Sequence, residues 1–178
     1  MLEAFKKPLW FGLIAVAALA AGFYVGKDWR HQPPRSGAEE VLRQASFKNL
    51  QGQPADLSAW DGKPRILNFW ATWCAPCREE IPLLNRVQTE HAAEGLQIIG
   101  IAIDEPEKVA KFQQKLSFSF PTLIAGAEAI PLMKTLGNPS GGLPFSVFLA
   151  ANGRILGTHL GPLDQKALEQ ALALLKRP

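Results

Sequence analysis

The chain has two cysteines, and they stand three positions apart in Trp73-Cys74-Ala75-Pro76-Cys77. The apolar run Ile66-Leu67-Asn68-Phe69-Trp70 leads into them. A strand that enters Cys-x-x-Cys and continues as a helix is the layout of a dithiol redox centre. It puts the first sulfur at a helix N-terminus, where unpaired backbone N–H groups and the helix dipole favour an anion. The thiolate is the form of cysteine that attacks disulfides. The second sulfur, one helical turn on, is within reach to close an intramolecular disulfide and release a partner. Cys74 and Cys77 are therefore the candidate catalytic residues, cycling through a Cys74–Cys77 redox disulfide.

The elements that must hold this pair alternate along the chain. Residues 65–70 read as a buried strand, continuous and apolar as strands covered on both faces are. Residues 75–93 follow as a helix, with Pro76 tolerated in its first turn. Residues 96–103 form the next central strand, 105–115 an amphipathic helix, 118–124 a short extended piece and 127–136 a weaker helix. The stretches 145–149 and 154–159 flank the turn Ala150-Ala151-Asn152-Gly153 as a hairpin, and 163–176 close the chain as a helix. Upstream, 45–50 and 53–57 flank Gln51-Gly52 as another hairpin, followed by a helical turn over 57–62. The order is βαβ, then α, then ββα. The pattern predicts an α/β domain. An N-terminal β-hairpin extends it, and a βα insertion precedes its second half.

The beginning of the chain has a different character. Residues 8–26 carry no charge, and as a helix they cover roughly 28 Å, close to the hydrocarbon thickness of a bilayer. Trp10 at one end and Tyr24 with Trp29 at the other suit the aromatic belts, and Lys6 with Lys7 favours a cytoplasmic N-terminus. A cleaved signal peptide would use a small-residue site such as Ala18-Leu19-Ala20. Phe23, Tyr24 and Val25 continue the apolar run beyond that site, which favours an uncleaved anchor. The expected division is 1–7 cytoplasmic, 8–26 transmembrane signal-anchor, 27–37 linker and 38–178 catalytic domain. The formal charge of +3 lies wholly within residues 1–37, so the domain is neutral and nucleic acid is not an expected partner. A domain placed outside the cytoplasm meets an oxidising compartment, where an isolated Cys-x-x-Cys stays oxidised unless a donor re-reduces it.

The segment Phe69-Trp70-Ala71-Thr72-Trp73-Cys74-Ala75-Pro76-Cys77-Arg78-Glu79-Glu80-Ile81-Pro82 resembles the membrane-anchored thioredoxin-like thiol–disulfide oxidoreductases of the TlpA/ResA type. The likeness extends to Phe47-Lys48-Asn49-Leu50-Gln51-Gly52, Asp61-Gly62-Lys63-Pro64, Gly142-Leu143-Pro144 and Asn152-Gly153-Arg154. The resemblance implies a thioredoxin fold, a central mixed sheet flanked by helices, with Cys74 as the exposed attacking thiol and Cys77 as the buried resolving thiol. It implies that Pro144 is the cis-proline facing the dithiol, turning the Leu143 backbone outward to pair with a substrate strand. Trp73 then joins Leu143 and Pro144 as a substrate-binding residue. Cytoplasmic thioredoxins carry a buried Asp where this chain has Asn68, and an amide cannot exchange a proton. Glu80 matches an acidic residue of the ResA-like branch. Three residues past Cys77, it lies one helical turn away, where desolvation would raise its pKa and suit it to proton transfer. Without the resemblance, Glu80 reads as a solvated charge beside Arg78 and Glu79.

Other chemistries fit less well. A zinc site needs two ligands beyond Cys74 and Cys77, and His31, His91 and His159 are isolated in sequence. A Sco-like copper chaperone, in which His159 could serve, spaces its cysteines by three residues rather than two. A peroxiredoxin needs a Pro-x-x-x-Thr-x-x-Cys context that is missing around Cys74. A disulfide-donating oxidant of this fold inserts a helical domain, for which residues 126–141 are too short. The expectation is an enzyme, with no metal and no cofactor beyond the dithiol, that reduces disulfides in exported proteins. Its implied substrates include apocytochrome c, since the ResA-like branch serves cytochrome c maturation. It would be monomeric, single-pass in the cytoplasmic membrane, with its catalytic domain on the periplasmic side. A membrane electron donor would re-reduce it.

Overall fold

The computed structural model describes residues 34–176. The expected anchor lies outside these, and among the described residues no helix is long and apolar enough to cross a membrane. The elements, in chain order, are α1 (Ala38–Arg43), β1 (Phe47–Lys48), β2 (Pro54–Ala55), β3 (Arg65–Trp70), α2 (Ala75–His91), β4 (Gln97–Ala102), α3 (Pro106–Leu116), β5 (Thr122–Ile124), α4 (Ala129–Thr135), β6 (Phe145–Leu149), β7 (Ile155–Leu160) and α5 (Gln165–Leu175). They build one mixed sheet in the order β2-β1-β5-β4-β3-β6-β7. Strands β3, β4 and β5 run parallel, while β6 is antiparallel to β3. This is the expected thioredoxin-like α/β arrangement, with β5 and α4 standing between α3 and β6.

Alternation along β3 divides the interior. Ile66 and Trp70 face a layer formed by Ile81 and Leu84 of α2, Val109 of α3 and Leu168 of α5. Leu67 and Phe69 face the opposite layer, with Leu42 of α1, Met133 of α4 and Val147 of β6. Side chains of a strand point to opposite faces in turn, so a strand buried on both reads as uniformly apolar. Asn68 is the exception, and the two-residue period puts it on the Ile66 and Trp70 face.

The N-terminal hairpin is shorter than its residue pattern predicts, two residues per strand. The Asn49 carboxamide accepts from Gln51 N at 3.0 Å and from Gln53 N at 2.9 Å, so a side-chain-closed turn takes over backbone that the strands would otherwise pair. A short helix also precedes it, α1, whose Glu39 Oε1 accepts from Ile155 N at 3.1 Å and so ties the start of the domain to β7.

Gly100, opposite Asn68 in the β3–β4 pairing, makes room for the Trp70 indole. A Cβ there would stand 2.9 Å from Trp70 Nε1 and 3.1 Å from Thr122 Oγ1, both buried. Overpacking of a dense core typically costs about 1–3 kcal/mol. Gly100→Ala is therefore expected to lower the unfolding free energy by that amount in urea titrations. An unchanged midpoint would show that the indole can shift freely.

Candidate active site

Cys74 is the N-cap of α2, with φ −84° and ψ 106°, and its Sγ accepts from Cys77 N at 3.3 Å. Burial of β3 fixes where this helix begins. The intervening turn is pinned by Asp104, just past β4, whose Oδ2 accepts from Thr72 N at 3.0 Å and also from the Thr72 hydroxyl. Cys74 and Cys77 are joined as a disulfide with Cα atoms 5.3 Å apart. Cys77 is wholly covered. Cys74 is less exposed than the resemblance implies, at 6%, but it keeps the only accessible edge of the pair. Trp73 beside it is 67% exposed.

Glu80 is buried at 4% exposure, not solvated like a surface charge. Its Oε1 accepts from Asn68 Nδ2 at 2.8 Å and its Oε2 from Leu163 N at 2.7 Å. Asn68 Nδ2 also donates to Ser146 Oγ at 3.1 Å, across the β3–β6 pairing that sets residues 68 and 146 opposite each other. Burial pushes the Glu80 carboxyl up from 4.5 to about 7, against the two hydrogen bonds, which favour the anion. Desolvation wins because no cation is among its partners. Asn68 Oδ1 is buried without a partner. A half-turn of that amide would present Oδ1 to a protonated Glu80, so the amide can serve both protonation states of the acid; an aspartate here would add a second charge.

The Leu143–Pro144 peptide bond is cis, and Pro144 is buried. The Leu143 side chain packs against both apolar layers, so its backbone rather than its side chain is what this loop offers. Asp104, Ser146, Leu163 and the loop residue Asn138 escape a reading of the sequence. Each acts through a partner at least 32 residues away or inside an irregular loop, and the hydrophobic pattern carries no trace of either. Among the described residues no group of three or more His, Cys, Asp or Glu side chains is placed to hold a metal ion.

Residues 39–155 match the AhpC/TSA family. The thiol–disulfide oxidoreductase ResA of Bacillus cereus is 32% identical over 171 residues, covering 94% of this chain and 96% of that protein. Of the solved structures, a thioredoxin-related protein from Neisseria meningitidis serogroup B is 32% identical, with a TM-score of 0.64 over 72% of this chain and 97% of that one. A thiol:disulfide interchange protein from Chlorobium tepidum is 27% identical, with a TM-score of 0.65 over 82% of this chain and 97% of that one.

A carboxyl with a raised native pKa gives stability that is complete below its unfolded value and is lost as pH rises through the folded one. Between pH 4.5 and about 7 the folded domain holds a proton on Glu80 that the unfolded chain releases. The oxidised protein is therefore expected to lose on the order of 3 kcal/mol of stability across this window. Urea unfolding at successive pH values checks this. In Glu80→Gln that part of the slope should vanish.

Proposed function

The chain belongs to the thioredoxin-like AhpC/TSA family as a thiol–disulfide oxidoreductase of the ResA type, and we propose that it is a tethered reductant of disulfides in exported proteins. Residues 8–26 anchor it in the cytoplasmic membrane with the domain on the extracytoplasmic side. Apocytochrome c is the leading substrate, and a membrane electron donor restores the dithiol.

In the cycle, the Cys74 thiolate attacks one sulfur of the substrate disulfide. The mixed disulfide forms, and the first substrate sulfur leaves as a thiolate that takes up a proton. Cys77 then gives its proton to the Glu80 carboxylate and attacks Cys74 Sγ. The second substrate sulfur leaves, the substrate has gained two electrons and the Cys74–Cys77 disulfide is restored. Trp73 forms the rim against which the substrate packs, and the backbone of Leu143, turned outward ahead of Pro144, pairs with the substrate strand.

The observation that carries the direction is the buried Glu80 carboxyl held near neutrality one turn beyond Cys77. Strong oxidants of this fold stabilise the thiolate and hence the reduced form. A carboxylate close to the thiols disfavours a second negative charge, so the two titrate as a coupled system and the reduced form is not favoured. That is the balance a reductant needs.

Reduction of a disulfide-bonded peptide by the purified protein, together with its potential against glutathione, tests this reading. A potential near those of strong oxidants would reverse the direction. Cys74→Ser should abolish turnover, whereas Cys77→Ser should accumulate mixed disulfides through Cys74; trapping by Cys74→Ser instead would exchange the two roles. Glu80→Gln should slow turnover and shift the pH profile of Cys74 alkylation, and superimposable profiles would remove Glu80 from the cycle. A C-terminal reporter on the full chain should be active only outside the cytoplasm.

A further inference from the structure

The loop between α4 and β6 is built around Asn138, which is completely buried and has no part in the cycle above. Burying a carboxamide is costly unless its polar groups are satisfied. Those of Asn138 are satisfied close by. Its N–H donates to Met133 O at 2.9 Å and its carbonyl accepts from Gly141 N at 3.2 Å. Its Nδ2 donates to Gly142 O at 2.8 Å, and its Oδ1 accepts from Ser140 Oγ at 2.9 Å. The Ser140 hydroxyl accepts in turn from Gly142 N at 3.3 Å. Side chains 138 and 140 thus hold both polar groups of Gly142. A Cβ at that position would stand 3.3 Å from Ser140 Oγ, which is why a glycine suits it.

This bracket orients the next residue. The Gly142–Leu143 peptide is planar and trans, so the Gly142 C=O and the Leu143 N–H point in opposite directions. With the C=O drawn inward onto a buried amide, the N–H of Leu143 is turned away from the core. Neither the N–H nor the C=O of Leu143 has a hydrogen-bond partner among the described residues. An unpaired donor and acceptor on one residue is what an added strand uses for main-chain pairing.

We propose that Asn138, oriented by Ser140, is a positioning residue that presents the Leu143 backbone to an extended segment of substrate next to its disulfide. The bracket holds main-chain groups, so the recognition it supports reads backbone and tolerates varied substrate side chains. This rests on the Leu143 docking proposed above, and the experiment separates the two.

Steady-state reduction of a disulfide-bonded peptide by the full chain in detergent is compared for wild type, Asn138→Ala and Ser140→Ala. The same peptide with its backbone N-methylated beside the cysteine is run in parallel. Loss of one buried hydrogen bond predicts a KM about tenfold higher for Asn138→Ala, with kcat and the Cys74 alkylation rate changed less than about twofold. Ser140 is exposed, so Ser140→Ala does not threaten folding, and its KM should rise in the same direction by a smaller factor. If Asn138→Ala fails to fold, Ser140→Ala decides. N-methylation should raise the wild-type KM. If it does and both variants keep the wild-type KM, the bracket is only structural and the proposal is overturned. If N-methylation leaves the wild-type KM unmoved, the Leu143 docking itself fails.

Discussion

A carboxyl group buried one helical turn beyond a dithiol is the constraint around which this domain is organised. Leaving water raises the cost of its charge, and the fold supplies two hydrogen bonds but no cation in return. Those bonds come from Asn68 on β3 and from the backbone ahead of α5, and Ser146 on β6 supports the Asn68 amide. Glu80 on α2 is thus held by β3 and by the backbone ahead of α5, with β6 behind the amide. Its titration near neutrality is a property of the packed domain, not of a local segment of chain.

The thiols depend on the same packing by another route. The uniform burial of β3 sets where the strand ends, and the helix N-terminus follows within a few residues. Asp104, from the end of the neighbouring parallel strand, holds the turn between them through Thr72. Ligand chemistry in open α/β sheets gathers at the carboxyl ends of parallel strands because loops from adjacent strands converge there. Here that convergence brings together the dithiol, the Asp104 loop and, from the antiparallel side, the loop before Pro144.

Around these fixed points the site divides its tasks between side chains and backbone. Trp73 offers an exposed aromatic surface, and Cys74 a narrow accessible edge. Leu143 commits its side chain to the core and leaves its backbone groups unpaired among the described residues. A narrow sulfur edge, an exposed indole and main-chain groups without partners are the features that the proposed docking of an extended polypeptide uses.

Most of what is local could be read from the residues alone. The buried strand over 65–70, the helix entered at Cys74, the hairpin around Asn152-Gly153 and the closing helix all follow from hydrophobic period, capping and turn chemistry between near neighbours. The dithiol was legible for the same reason, since both cysteines and the helix start lie within a few residues. The helical spacing of Glu80 from Cys77 was legible too. Its burial followed only from the family resemblance, and its partners were not legible at all, because they depend on the register that sets Asn68 opposite Ser146 and on a backbone N–H 83 residues away. The short hairpin strands and the Asn138 bracket escaped for a related reason: side-chain hydrogen bonds replaced the regular backbone pairing that periodicity reports. Near-neighbour chemistry is written in residue order. The dielectric around a carboxyl and the direction of one peptide plane arise only when distant segments pack against each other.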